Sequence, residues 1–366
     1  MFRHDTFGSE RLWTDTLKLH EAIARTVDPA TALSVGLKVD SEALPSRVID
    51  NLRAGTVNLK SPAVTIDLLR LDAVVGVKGQ VDSLGQLTSV GITCAFCHSS
   101  VDDSFAPGIG RRLDGWANTD LDVGKIVSLS SELAESTKAE FQKWGPGKYD
   151  PRHHVFDGAK IITRHEPSIP VVIPPIYGLK NVEFETYTAE GPISYWNAYV
   201  GVSQMGGQGT FRDPRINLEI VRTPDLVTPK LPALLDYQLS LETPRPAPDS
   251  FDRLAANRGQ QVFRREGRCV SCHRPPHFTD VLSGPRSAEP FLHEPSAVGT
   301  EGRYAARSAT RKYRTTPLRA LWQHPPYFHD GSARDLMAVV DHYDRLFRLN
   351  LTPGQKADLV EYLKSL

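Results

Sequence analysis

The chain carries no excess of charge and no long apolar run. Forty-three Lys and Arg balance 43 Asp and Glu, and the isoelectric point falls near 7.2. A balanced chain has no whole-protein field to gather nucleic acid or an anionic membrane, so neither is expected as a partner. No window approaches the roughly 18 uninterrupted apolar residues that span a bilayer, which excludes a transmembrane segment. Met1-Phe2-Arg3-His4-Asp5 runs straight into polar sequence, without the apolar core of a signal peptide. Methionine is scarce at three residues and cysteine at four. With 40% apolar and 23% charged residues the composition is that of a soluble globular chain, not a disordered or collagen-like one. The length of 366 residues suggests two domains at about 150 residues each. Glycine and proline, 27 of each, predict helices joined by long, stiffened loops.

What cysteine there is falls in one pattern used twice, Cys94-Ala95-Phe96-Cys97-His98 and Cys269-Val270-Ser271-Cys272-His273. Cys-x-x-Cys-His is the attachment signature of haem c. Two thiols three positions apart each add to a vinyl group of one porphyrin, and the next residue brings an imidazole under the iron. Scattering four Cys and 12 His at random gives ~0.0014 such motifs per chain, so two by chance are on the order of one in a million. A zinc site built from all four thiolates needs pairs about 15–20 residues apart, whereas these begin 175 apart. A thioredoxin-like pair expects a βαβ context that neither site shows, and a disulfide has no use for His after both pairs. Two covalently bound haems c are therefore expected, on Cys94, Cys97 and His98 and on Cys269, Cys272 and His273. Haem c is attached outside the cytoplasm, so the protein is expected to be periplasmic or exported, its leader lying outside this sequence.

Around the motifs the pattern is helical. Ser9 to about Arg25 reads as a helix with Ser9 as cap and Trp13, Leu17, His20 and Ala24 on one face. Ser61-Pro62 starts a second helix carrying Ile66, Leu69 and Val74. A polar stretch, Lys78 to Thr88, leads to the first motif, and a long loop-rich region follows it. Leu231 to Leu241 reads as a short helix, and Glu242 to Pro248 as a stiff linker. Ser250 is read as capping a helix from Phe251 to about Arg265 with Leu254, Val262 and Phe263 inward. Thr352-Pro353 opens a closing helix striped by Leu359, Leu363 and Leu366. The expected fold is mostly α: two cytochrome c-like haem domains, 1–241 and 249–366, with long loop-rich elaborations.

From Leu234 onward the sequence resembles the di-haem cytochrome c peroxidase superfamily, which also holds the di-haem enzyme that matures tryptophan tryptophylquinone. The resemblance rests on Tyr237-Gln238-Leu239-Ser240-Leu241, Arg258-Gly259-Gln260-Gln261-Val262-Phe263, the second haem motif and His277-Phe278-Thr279-Asp280. It rests above all on Thr316-Pro317-Leu318-Arg319 and Pro326-Tyr327-Phe328-His329-Asp330-Gly331. It covers the C-terminal third well. It implies that the N-terminal haem is the reactive one and that electrons pass between the two. The C-terminal haem then accepts or stores the electron. Arg319 and His329 match positions around the haem; the Arg would pair with a propionate or, on the plainer reading, with a surface carboxylate. In the family the sixth ligand of the second haem lies 14 residues beyond that His. Here it is Tyr343, on a helical face with Leu336, Val340 and Phe347. His342 and Met337 are alternatives, and Tyr343 is otherwise a core residue. For the first haem the candidates are His20, Met205 and His165, or an open side, which is what the resemblance implies.

The chain departs from the family near the first haem. Where relatives have a Trp between the haems, it offers Tyr187 and Trp196 as candidate electron-carrying residues. Where they have a Glu over the iron, it has Gln204 and Gln208, which do not ionise, so efficient peroxide cleavage is in doubt. Asp102-Asp103 and Arg111-Arg112 read as a solvated loop. Peroxidases of the family also bind calcium between domains; no EF-hand-like loop is present here, and calcium is a secondary expectation. The function expected is electron transfer between two irons. One of them reduces hydrogen peroxide or oxidises a substrate, with a small redox protein or another donor or acceptor as partner. The alternatives are a pure electron carrier with both irons six-coordinate and an oxygenase-like di-haem protein. Cys94→Ala or Cys269→Ala is expected to remove the covalent attachment of one haem, read as haem stain on a denaturing gel. Staining equal to that of the unaltered chain refutes it.

Overall fold

A computed structural model describes residues 1–151, 167–281 and 291–366. Helices make up about 40% of the chain and the strands are few, short and paired two by two. No helix among the described residues is long and apolar enough to cross a membrane. The chain divides into two compact units, Met1–Pro175 with Asn197–Tyr237, and Ile176–Trp196 with Gln238–Leu366.

In the first unit the expected helix from Ser9 to Arg25 is broken. Arg11–Thr16 winds as a π-helix, Lys18 turns left-handed at φ 53°, and a regular helix starts only at Leu19 and ends at Thr26. Ser9 is a strand staple instead of a cap. Its buried hydroxyl donates to the Ile92 carbonyl at 3.1 Å and accepts from the Ile92 amide at 2.8 Å. The polar stretch before the first motif is a hairpin, Val77–Val81 against Leu87–Ile92. Asp82 shapes its turn by accepting from the amides of Leu84 and Gln86, both at 2.9 Å. The helix Pro62–Arg70 has Pro at its start but no side-chain bond from Ser61, and it ends before Val74, which bridges Val39 instead.

The hairpin delivers the chain to a four-residue helix, Ala95–His98, whose Ala95 and Phe96 are fully buried. Phe96 meets Trp13 edge-on, with centroids 5.5 Å apart. At the hairpin entrance Gly76 has φ 75°, and a Cβ there would lie 2.1 Å from the Phe96 amide nitrogen. Only glycine supplies both the left-handed backbone and the clearance. The loop after the motif is tied by its own charges. Asp102 accepts from the Arg111 amide at 2.8 Å and the Arg111 Nε at 2.9 Å, and Asp103 from the Gly108 amide at 2.8 Å.

The second unit is built around three helices. Arg253–Arg264 leads to the second motif, Leu336–Phe347 follows, and Pro353–Ser365 closes the chain. The cap of the first of these is Asp252, not Ser250. Its carboxylate accepts from the amides of Leu254 and Ala255 at 2.8 and 3.0 Å, a stronger acceptor for helix-end amides than a hydroxyl. That register turns Leu254 outward, 72% exposed, against the expectation that it is core. Thr352 and Gln355 form a reciprocal capping box at the closing helix. Val262, Phe263, Leu336, Val340, Leu359 and Leu363 interlock in the core, with Cys269 and Val270 packed against it.

The first and last of these helices cross backbone to backbone. A Cβ on Gly259 would sit 2.0 Å from the Asp358 carbonyl oxygen, while Gly354, on the same closing helix, has nothing within 4 Å. Alanine favours a helix interior by up to about 1 kcal/mol over glycine. At Gly259 overpacking overrides that gain. Gly259→Ala is expected to cost about 1–3 kcal/mol or more in chemical denaturation, whereas Gly354→Ala is neutral or stabilising. Equal stabilities for the two variants would show that the crossing is not close-packed.

Candidate haem sites

Each motif histidine is held the same way. The Nδ1 of His98 lies 3.0 Å from the Pro174 carbonyl oxygen, and the Nδ1 of His273 lies 3.0 Å from that of Phe278. A carbonyl can only accept, so both Nδ1 atoms carry the proton and both Nε2 atoms keep a bare lone pair. This is the tautomer and orientation that metal-bound histidines adopt. Burial reinforces it by disfavouring the charged form. The His98 imidazole is pushed down to about 4, and His273 is also lowered. Both are thus neutral near pH 7. All four motif thiols are free and half-buried. Burial raises them too, Cys94 and Cys97 to about 12 and Cys269 to about 11, so the sulfurs are uncharged and suited to thioethers in an apolar wall. The Ala95–His98 turn is fixed by the amides of Asn118 and Gly115, which donate to the carbonyls of Cys97 and His98.

Other residues of the first unit have settled roles. Gln204 ends the π-turn Val200–Gln204, and its Oε1 accepts from the Tyr149 hydroxyl at 2.6 Å. Gln208 donates from Nε2 to the Thr223 carbonyl at 2.7 Å. The backbone of Met205 accepts from the Trp13 indole at 3.2 Å, and its side chain is buried. His20 is half-buried on its helix, its Nδ1 buried without a hydrogen-bond partner among the described residues. His165 lies outside the described residues.

In the second unit Tyr343 is placed toward the motif. Burial chiefly, then the nearby sulfurs of Cys272 and Cys269, push its hydroxyl up to about 12. Its ring stacks on Phe347 at 5.8 Å and meets Phe328 edge-on at 5.9 Å. His342 points elsewhere, its Nε2 donating to the Val298 carbonyl at 2.9 Å, and Met337 is 37% exposed. Trp196 is buried and donates to the Glu185 carbonyl at 3.1 Å.

Arg319 is largely buried, and its Nη2 reaches only to 3.8 Å from Glu185, a carboxylate that Arg314 already pairs at 2.9 Å. Its Nη1 is buried with no hydrogen-bond partner among the described residues. A buried guanidinium nitrogen without an acceptor is costly, and a planar carboxylate such as a haem propionate satisfies it. Bare Nε2 atoms, protonated thiols and an unmet cation are together the donor set haem c requires.

Two groupings were not legible in the sequence. Cys272, Asp280 and His293 bring their ligand atoms within 4.8 Å of one another, with His293 Nε2 3.0 Å from Asp280 and 2.9 Å from Thr315 Oγ1. Tyr187, Tyr304, Tyr313 and Glu301 gather around His329, which is only 4% exposed. The members of each group are dispersed along the chain and share no short motif. Only Tyr187, His329 and the His277–Asp280 segment stood out.

No family model matches the chain. Among curated proteins it is similar to the methylamine utilization protein MauG of Methylorubrum extorquens, 28% identical over 128 residues, 30% of this chain and 34% of that protein. It is similar to the cytochrome-c peroxidase IdrP2 of Denitromonas iodatirespirans, 27% identical over 140 residues, 30% of this chain and 38% of that protein. The chain thus spans about a third of the length of these curated relatives. Among solved structures, a MauG-like protein associated with microbial copper homeostasis overlaps 59% of this chain and 80% of its own, at 17% identity and a TM-score of 0.38. The hydrazine synthase of Kuenenia stuttgartiensis overlaps 56% and 75%, at 23% identity and a TM-score of 0.33. Over the matched third, the similarity to MauG and to a cytochrome-c peroxidase supports, at low identity, a relation to the di-haem cytochrome c peroxidase superfamily.

Proposed function

We propose that this chain is a di-haem redox enzyme of the periplasm or cell exterior. It would carry one haem c on Cys94, Cys97 and His98 and another on Cys269, Cys272 and His273. The observation that supports the reading is the pair of Nδ1–H···O=C bonds, which leave both Nε2 lone pairs available to a metal. When bound, such haems supply one-electron transfer and, at an iron with an open side, reaction with peroxide.

The chain's own residues divide the work between the two units. Cys94, Cys97, Cys269 and Cys272 would fix the porphyrins, and His98 and His273 would ligate the irons. Tyr343 would be a further protein ligand to the haem of the C-terminal unit, and its phenolate oxygen would favour the oxidised state of the group it holds. Arg319 presents its unmet nitrogen to a propionate and fixes the haem in rotation. In the N-terminal unit Gln204, whose amide has no ionisable proton, and the hydroxyl of Tyr149 form a hydrogen-bonded polar pair. That pair can orient a bound oxidant, yet it is a poor proton shuttle. This favours slow oxidation of an electron-rich substrate over rapid peroxide turnover. Electrons reach or leave through a small redox protein or another soluble donor.

The holoprotein is expected to show one high-spin ferric haem that binds cyanide and one low-spin haem. Two low-spin haems without cyanide binding would instead identify a pure electron carrier. Tyr343→Phe is expected to change the ferric spectrum of one haem and to raise its potential, measured by spectroelectrochemistry. Spectra identical to those of the unaltered protein in both oxidation states dismiss Tyr343 as a ligand.

A further inference from the structure

The second motif lies where two helices end, and the surface there is far from neutral. Six arginines, Arg264, Arg265, Arg268, Arg274, Arg345 and Arg348, fall in two short stretches, 264–274 and 345–348. These stretches hold one acidic residue between them, Glu266. In a chain whose 43 basic and 43 acidic residues cancel, that is a marked local excess. All six arginines are exposed, and none makes an ion pair among the described residues. The nearby acids are already matched, Asp358 by Arg258 at 2.6 Å, and Asp341 and Asp344 by Lys356 at 2.9 and 2.6 Å.

The two stretches adjoin. Arg268 Nη2 donates to the Phe347 carbonyl at 3.4 Å, which ties the turn of the motif to the end of the helix Leu336–Phe347. Basic side chains often serve to offset the dipole at a helix C-terminus. Each helix end carries about half a negative charge, so the two ends here offset about one of the six. The rest of the excess faces water. Phe347 sits between Arg345 and Arg348 and is 48% exposed. Its ring stacks on Tyr343 with planes 5° apart, and Tyr343 faces the sulfurs of Cys272 and Cys269. The exposed ring is thus the outer end of an aromatic stack that leads inward to the attachment motif. An apolar centre with a charged rim is the anatomy of a docking surface.

We propose that this face of the C-terminal unit docks an acidic redox protein, whose carboxylates meet the six arginines and whose contact is centred on Phe347. Charge so arranged steers the encounter more than it holds the complex, so association is fast, transient and weakened by salt. At physiological ionic strength the field extends about 8 Å, which suits a protein already grazing the surface. Anionic lipid would answer the same charge. It has no use for an aromatic stack leading inward, and the two stretches expose a single large apolar side chain to insert. That the docked protein exchanges electrons rests on the haem reading given above; the sign of its charge does not.

The test uses one redox protein in two charge states. Cytochrome c is basic, and succinylation of its lysines makes the same fold acidic. Holoprotein, its two porphyrin adducts checked by intact mass, is titrated with each form at low ionic strength and again at about 150 mM salt. The succinylated form is expected to bind and to weaken by roughly tenfold or more with salt, and the native form not to bind. Arg264→Glu/Arg265→Glu/Arg345→Glu is expected to lose roughly tenfold or more in affinity for the succinylated form. Arg47→Glu/Arg53→Glu/Arg70→Glu, the same change of net charge on exposed arginines of the first unit, keeps it within about twofold. Haem spectra and thermal midpoints check folding, and the three corresponding Arg→Gln changes replace the Glu variant if it fails to fold. Equal binding of the two forms, or equal losses in the two triple variants, overturns the proposal. So does binding of phosphatidylglycerol vesicles, lost in the first triple variant, without binding of the succinylated protein. Missing porphyrin adducts count against the haem reading alone.

Discussion

A hydrogen bond from an imidazole N–H to a main-chain carbonyl is the constraint around which both sites are arranged. Without it, the histidine of a Cys-x-x-Cys-His motif is free to turn, to change tautomer or to take up a proton. With it, one nitrogen is occupied and the other is left basic and aimed. The carbonyl must therefore be held still. Pro174 lies just beyond the short pairing of Val171–Val172 with Lys148–Tyr149, and Phe278 packs edge-on against the buried Phe263. The core of each unit thus acts on the motif histidine through a backbone atom.

The charges around the second motif follow the same economy. Glu185 is shared between Arg314 and Arg319, and its short contact goes to Arg314. Arg319 keeps a buried Nη1 without a hydrogen-bond partner among the described residues. Burying an unmet polar cation is unfavourable. On the proposed reading, a haem propionate would supply the missing acceptor. The tyrosine cluster is the reverse case, since each contact of His329 and Tyr313 is made within the protein.

Much of this was legible in the sequence, and unevenly. The attachment residues stood out because the motif is contiguous and its spacing has a chemical reason. Helices with a strong cap or stripe were equally clear: Thr352-Pro353 opens the last helix as expected, and Leu231–Ser240 falls where its pattern placed it. The failures have physical causes. Asp252 outcompeted Ser250 for the helix-end amides because a carboxylate binds them more strongly than a hydroxyl. The apolar face from Trp13 to Ala24 was real, but a left-handed residue at Lys18 cut it in two. The hairpin at Val77–Ile92 hid behind its polar, solvent-facing residues. The cluster around His329 joins positions from 187 to 329, and no local pattern reports a contact of that span.

The two histidine bonds differ in reach. His273 is held by a carbonyl five residues ahead, within one turn of chain, whereas His98 waits for one 76 residues downstream. As the polypeptide folds, the C-terminal motif can orient its imidazole from the sequence immediately around it. The N-terminal motif presents an unguided ring until the chain beyond it has closed back on it. The two motifs are therefore unequal, one prearranged by local sequence and the other completed only by long-range closure of the chain.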